Sequence, residues 1–135
     1  MIHLKSRHEI EILRESNLIV HEVLTTLKSM CQPGITTLEL DRVAEDMTRK
    51  HQGRPAFKGY HGFPATLCTS INEEVVHGIP SKRALREGDI LSIDYGICYR
   101  DYYGDSAVTV PIGKIPDDLE FLLKTTQECL MLGIQ

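Results

Sequence analysis

Near the N-terminus apolar residues recur at helical spacing, with Ile10, Leu13, Val20, Leu24 and Leu27 forming a stripe that Asn17 interrupts. The segment Ser6-Arg7-His8-Glu9 precedes that stripe. It predicts a capping box, in which the serine hydroxyl and the glutamate carboxylate each accept a backbone N–H of the other residue. Pro33-Gly34 ends this helix. A second box, Thr36-Thr37-Leu38-Glu39, opens another helix with Leu40, Val43, Ala44 and Met47 on one side, and Gly53 and Pro55 stop it.

The pattern then changes. From Phe57 to Pro80 the chain is rich in Gly, aromatic and β-branched residues. It predicts an irregular loop feeding a strand up to Ile71, a turn at Asn72-Glu73-Glu74, and a short extended run Val75-Val76-His77. After a turn around Glu87-Gly88-Asp89, the alternation from Ile90 to Cys98 is that of a strand. A tight turn near Arg100-Asp101 leads into a second strand from Tyr102 to Ile112, rich in Val, Thr and Tyr. Asp117-Asp118-Leu119-Glu120 starts a last helix with Leu119, Leu122, Leu123, Thr126 and Leu130 on one face. Two helices, antiparallel strands and a closing helix make an α+β arrangement.

Composition narrows the classes of function. A chain of 135 residues has room for one domain with one core. With Lys+Arg 15 against Asp+Glu 19, it lacks the basic stripe of a nucleic-acid or anionic-membrane binder. No apolar run approaches the roughly 20 residues of a membrane span, and no leader core precedes the first helix. The four cysteines, Cys31, Cys68, Cys98 and Cys129, form no Cys-x-x-Cys pair. Their spacing fits reduced, cytoplasmic usage rather than a disulfide framework or a zinc site.

Two carboxylates stand out. Asp94 lies inside an apolar strand, where an acid is disfavoured unless it is paired or bound to a metal. With the turn centred on Arg100-Asp101, residue 96 faces 105 and residue 94 faces 107. Asp94 and Asp105 then project from the same side as diagonal neighbours, about 7 Å apart at the backbone. They are either two solvent-facing acids or a shared cation site, and two carboxylates alone under-coordinate an ion that takes about six ligands. His77 precedes a Gly-Ile-Pro turn and is either a structural histidine or a proton carrier and hydrogen-bond donor. Phe57, Tyr60, Phe63 and Cys68 suit a pocket for a flexible thioether side chain, and suit ordinary core equally.

Taken together, three blocks resemble the type I methionine aminopeptidases, metal-dependent enzymes of the pita-bread fold. The first is Gly59-Tyr60-His61-Gly62-Phe63-Pro64 and the second runs from Cys68 through Asn72-Glu73-Glu74-Val75-Val76-His77-Gly78-Ile79-Pro80. The third is Gly88-Asp89-Ile90 leading to Asp94, followed by Gly104-Asp105-Ser106-Ala107 with Thr109. The resemblance covers Ser6 to about Gly113. It implies that Asp94 and Asp105 ligate a pair of divalent ions (Co, Mn, Fe or Zn), Asp105 bridging both. It implies that His77 hydrogen-bonds the scissile amide, and that Phe57, Tyr60, Phe63 and Cys68 line the methionine pocket. Carbonyls around Asn72 and Glu74 hold a monovalent cation in some relatives. Asp101 and Tyr103 depart from the Gly and His that relatives often carry there.

The implied reaction is release of the initiator methionine from nascent chains with a small second residue, at or near the ribosome. Family domains run to about 250 residues, in the upper part of the single-domain range. The resemblance therefore implies that residues 1–135 are an N-terminal half, without the further His and two Glu ligands. Such a half is expected to be inactive alone, and either to associate with itself or to be poorly soluble. Two other readings share the fold: a non-catalytic peptide- or partner-binding module, and an aminopeptidase P or prolidase. Retention of both aspartates and His77 argues against the first, and the Cys68 to Pro80 block against the second.

Overall fold

The computed structural model describes residues 3–135. In chain order it contains α1 (Arg7–Met30), α2 (Thr37–Lys50), β1 (Arg54–Pro55), a 3₁₀ turn (Tyr60–Gly62), β2 (Leu67–Ile71), β3 (Ile90–Tyr99), β4 (Tyr102–Pro111) and α3 (Asp117–Ile134). Both capping boxes form. Ser6 N–H donates to Glu9 Oε2 at 2.7 Å and Glu9 N–H to Ser6 Oγ at 3.3 Å. The Thr36–Glu39 pair repeats the exchange at 2.9 and 3.2 Å.

The buried face of α1 is rotated from the stripe read in the sequence. Ile10 is half exposed, while Ile12, Ser16, Ile19, Val20, Val23, Leu24 and Leu27 are buried. Asn17 lies outside that face and interrupts nothing. The cause is a close approach between backbones: a Cβ on Gly104 would lie 2.7 Å from the Ser16 carbonyl. Ser16 is small enough to be buried there, and its hydroxyl donates to Ile12 O at 2.8 Å.

The sheet is antiparallel throughout. β3 is central, β4 flanks it on one side, and β1 and β2 share the other. The β3–β4 turn has Arg100 and Asp101 both at positive φ (51° and 66°), the type I′ arrangement whose twist matches that of a hairpin. One face of the sheet is apolar. Its Leu67, Ile71, Leu91, Ile93, Tyr95, Ile97 and Val110 join Val20, Val23, Leu27, Leu40 and Ala44 of α1 and α2 in a single core. The Tyr95 hydroxyl, sunk in this core, pairs with buried Thr48 Oγ1 at 2.7 Å. Asp41 fastens α2 to β2, its Oδ1 accepting Thr66 N–H and Leu67 N–H, each at 2.9 Å.

One further sequence-based expectation fails. Val75-Val76-His77 is a loop and not an extended run, with Val75 and Val76 exposed. α3 forms where expected but buries no residue, and Leu122 and Leu130 of its predicted face are more than half exposed. The apolar stripe is present in α3; the surface it needs is not part of this chain's own packing.

Candidate metal centre

The face of the sheet turned away from the helices carries both candidate aspartates. Strand alternation places Cys68, Ser70, Ser92, Asp94, Gly96, Asp105, Ala107 and Thr109 on it. The register pairs Asp94 with Cys68 on one side and Ala107 on the other, and Gly96 with Asp105. The hairpin therefore sets Asp94 and Asp105 as diagonal neighbours, as the turn position predicted. Gly96 leaves room beside them that an aromatic ring uses: a Cβ there would lie 2.8 Å from Phe57 Cε1.

The two carboxylates interact directly. Burial first, then the Asp105 charge and a hydrogen bond with Asp105, push Asp94 up to about 6, while nearby His77 pulls the other way. Asp105 is also raised, by burial, and the bond with Asp94 partly offsets this. Burial, followed by the charges of Asp94 and Asp105, pushes the Cys68 thiol up to about 11. A proton shared by the pair relieves the like-charge contact in the absence of a cation.

Three buried side-chain oxygens among the described residues have no hydrogen-bond partner. They are Asp94 Oδ1, Thr66 Oγ1 and Thr69 Oγ1. An orphaned carboxylate oxygen is the costliest of the three to bury. A hard divalent cation would satisfy it and both negative charges together, so the pair fits a metal. The fit is partial, because no group of three His, Cys, Asp or Glu side chains among the described residues converges on one point. Asp94 and Asp105 supply part of a coordination shell and leave the remainder open.

His77 stands close enough to act on Asp94 through its charge, although it is not at the end of a strand. It sits at φ 61° in an exposed loop, a conformation that is uncommon outside glycine and marks strained, often functional positions. Neighbouring bonds hold it there. Thr69 N–H donates to Gly78 O at 2.7 Å, and Gly78 N–H to Ser70 Oγ at 3.1 Å. Glu74 Oε2 accepts Ile71 N–H at 3.0 Å and closes the base of the loop.

The apolar candidates are less uniform. Cys68 is buried, Phe57 and Phe63 are half-buried, and Tyr60 is 69% exposed, its ring edge-on to His61. They flank the polar face without closing over it. Two clefts lie elsewhere, along Lys124, Glu128 and Met131 of α3 and between Leu119, Leu122 and Asn72-Glu73. At the Asn72 turn the side chain is committed to the fold, with Nδ2 donating to Asp89 and Oδ1 accepting Ile90 N–H. Any cation there would take backbone carbonyls. The sequence reading missed Asp41; a lone acid in an amphipathic helix gave no signal that two strand N–H groups would need it.

Comparison with known proteins converges on one family. The description "Metallopeptidase family M24" matches residues 11–135. A methionine aminopeptidase of Clostridium acetobutylicum is 50% identical over all of this chain and 54% of its own length. The crystal structure of methionine aminopeptidase from Rickettsia prowazekii superposes with a TM-score of 0.97 at 30% identity, covering 100% of this chain and 54% of that one. That from Thermotoga maritima gives a TM-score of 0.92 at 37% identity, covering 95% and 52%. The chain thus spans about half the length of the relatives it matches, and the α+β architecture is that of the pita-bread structures.

Proposed function

The chain belongs to metallopeptidase family M24, and we propose that residues 1–135 form the N-terminal half of a methionine aminopeptidase catalytic domain. The whole domain would release the initiator methionine from nascent polypeptides whose second residue is small. The observation that carries this reading is the Asp94–Asp105 pair with its orphaned buried oxygen, on the face bordered by Cys68 and Phe57. Two acids held together at a cost to the metal-free chain have a purpose if a cation is their partner.

Each residue then has a role. Asp94 and Asp105 would hold two divalent ions of the Co, Mn, Fe or Zn type; bound there, such ions polarise a scissile carbonyl and acidify water. His77, fixed by the Thr69 and Ser70 contacts, would donate a hydrogen bond to the scissile amide and so stabilise the developing negative charge. Phe57, Tyr60, Phe63 and Cys68 would receive the methionine side chain through sulfur–aromatic and apolar contact. The carbonyls of Asn72 and Glu74 would take a monovalent cation. The remaining ligands would come from outside these 135 residues, so this chain alone should turn over little or no peptide.

The working context follows from the substrate. Nascent N-termini emerge at the ribosome in the cytoplasm, and no helix among the described residues is long and apolar enough to cross a membrane. Calorimetric titration of the metal-free chain with Mn(II) or Co(II) tests the site: the chain should bind, and Asp105→Ala should not. Turnover by a protein of the relatives' length containing this chain tests the activity. Preference for Met-Ala peptides supports the reading, and preference for Xaa-Pro peptides replaces it with a prolidase-type enzyme. Metal binding with neither activity leaves a binding module.

A further inference from the structure

The segment 57–66 carries Phe57, Tyr60 and Phe63 and leads into Cys68. It joins the sheet only on either side: Ala56 N–H donates to Gly96 O at 2.9 Å before it, and β2 begins at Leu67 after it. In between, its hydrogen bonds among the described residues run within the segment or to α2. Tyr60 N–H donates to Phe57 O at 3.0 Å, Gly59 N–H to Phe63 O at 2.8 Å and Phe63 N–H to Tyr60 O at 2.9 Å. The bonds to α2 lie at the two ends. At the start, Lys58 Nζ donates to both carboxylate oxygens of Glu45, at 2.8 and 2.9 Å. At the finish, Asp41 Oδ1 accepts Thr66 N–H and Leu67 N–H. Asp41 and Glu45 stand at i and i+4, on one face of the helix. Lys58 is exposed and Asp41 is buried. Burial pushes the Asp41 carboxyl up, and the Leu67 and Thr66 N–H groups pull it back.

We propose that Asp41 is a positioning residue for substrate selection: through Thr66 and Leu67, aided by Glu45 and Lys58, it sets where the aromatic segment lies relative to Asp94 and Asp105. This rests on the reading of Phe57, Tyr60, Phe63 and Cys68 as the residues that receive methionine. One acceptor shared by two consecutive N–H groups fixes both the position and the direction of the chain as it enters β2. The residue that follows, Cys68, pairs with Asp94 in the register. The two acids are thus carried by the β3–β4 hairpin, while the segment beside them hangs from α2. A substrate whose side chain is held by one and whose scissile bond reacts at the other feels any error in their separation. A misplacement of about 1 Å costs about 10²-fold in rate. The buried Asp41 attachment outweighs the exposed Glu45–Lys58 pair, which solvent screens.

The test uses a protein of the relatives' length containing this chain. It reads the ratio of kcat/KM for Met-Ala over Leu-Ala peptides, which does not depend on how much of the enzyme is folded. Asp41→Ala should lower that ratio about 10-fold or more with Mn(II) affinity unchanged. Asp41→Asn keeps an acceptor at Oδ1 and should retain the ratio. Amide exchange at Thr66 and Leu67 should quicken about 10-fold in Asp41→Ala and stay slow in Asp41→Asn, as for loss of one buried acceptor. If Asp41→Ala fails to fold, Lys58→Ala decides: it should lower the ratio about 2–5-fold, the scale of an exposed ion pair, and an unchanged ratio overturns the proposal. A lower rate at an unchanged ratio in Asp41→Ala, the mark of a purely structural residue, overturns it too, as does unchanged exchange. An unaltered protein without a preference for Met-Ala removes the methionine reading and this proposal together. A preference that survives Asp41→Ala removes this proposal alone.

Discussion

On the helix side of β3, Leu91, Ile93, Tyr95 and Ile97 are fully buried; on the other side Ser92, Asp94 and Gly96 carry a hydroxyl, a carboxylate and a hydrogen. The strand is the same and the alternation strict, so the difference lies in what each face is required to do. The apolar face satisfies itself, down to the Tyr95–Thr48 hydrogen bond. The polar face does not, since Asp94 Oδ1 is left without a partner, and burial and the Asp105 charge push the Asp94 carboxyl up. Stability is concentrated on one face and unmet bonding capacity on the other. The second is the feature on which the proposed metal site rests.

The contrast is broken most severely from the apolar side. Ile93→Ala should cost about 2–5 kcal/mol, the range for truncating a large aliphatic residue in a packed core. A thermal or urea melt would show it. A cost below about 0.5 kcal/mol, the level of ordinary surface changes, would mean that this face is not the stabilising one.

On the polar face the same scale of effect should appear in function alone. In a protein of the relatives' length, His77→Ala should lower turnover about 10²–10³-fold with metal content intact, the loss expected for one transition-state hydrogen bond. Unchanged turnover would return His77 to a structural role.

A smaller effect has the opposite sign. The folded-state pKa of Asp94 lies at about 6, raised above its ordinary value. The contribution of this group to stability is therefore fully present below about pH 4 and lost as pH rises through about 6. Asp94→Asn should stabilise the metal-free chain at pH 7.5 by about 1–2 kcal/mol, after discounting for a half-exposed group, and change little near pH 4. Melting curves at the two pH values check the sign. Adding Mn(II) should raise the melting temperature of the unaltered chain and leave that of Asp94→Asn where it was.

The smallest change lies at the hairpin tip, outside both faces. Asp101 holds φ 66° without being glycine. Asp101→Gly should gain up to about 1 kcal/mol from the relieved backbone, less whatever the exposed Arg54–Asp101 contact at 3.5 Å contributes. A measured loss would mean that this ion pair outweighs the strain.

Local signals carried much of this architecture. Ser6–Glu9 and Thr36–Glu39 are short-range chemistry, and both boxes form as written. The β3–β4 register follows from one turn, so the Asp94–Asp105 juxtaposition was legible before any coordinate. What failed depended on distant partners. The face of α1 could not be read correctly because Ser16 is buried by Gly104, far along the chain. Val75-Val76-His77 has the composition of a strand, yet Gly78 bonds to Thr69 and bends the segment into a loop. The α3 stripe signals burial without naming the surface that would provide it. Asp41 was silent for the same reason, since the N–H groups it serves belong to Thr66 and Leu67.

The Ser16–Gly104 contact also has a meaning in time. The first helix rests on a strand made 88 residues later, the difference between positions 104 and 16. At a synthesis rate of about 5–20 residues per second, roughly 4–18 seconds separate the two on the ribosome. For most of that interval Val20, Val23 and Leu27 lack the β3–β4 hairpin that covers them in the finished core. A chaperone that shields the apolar face of an amphipathic helix would find its substrate here in the growing chain, and would lose it once β4 closes on Ser16.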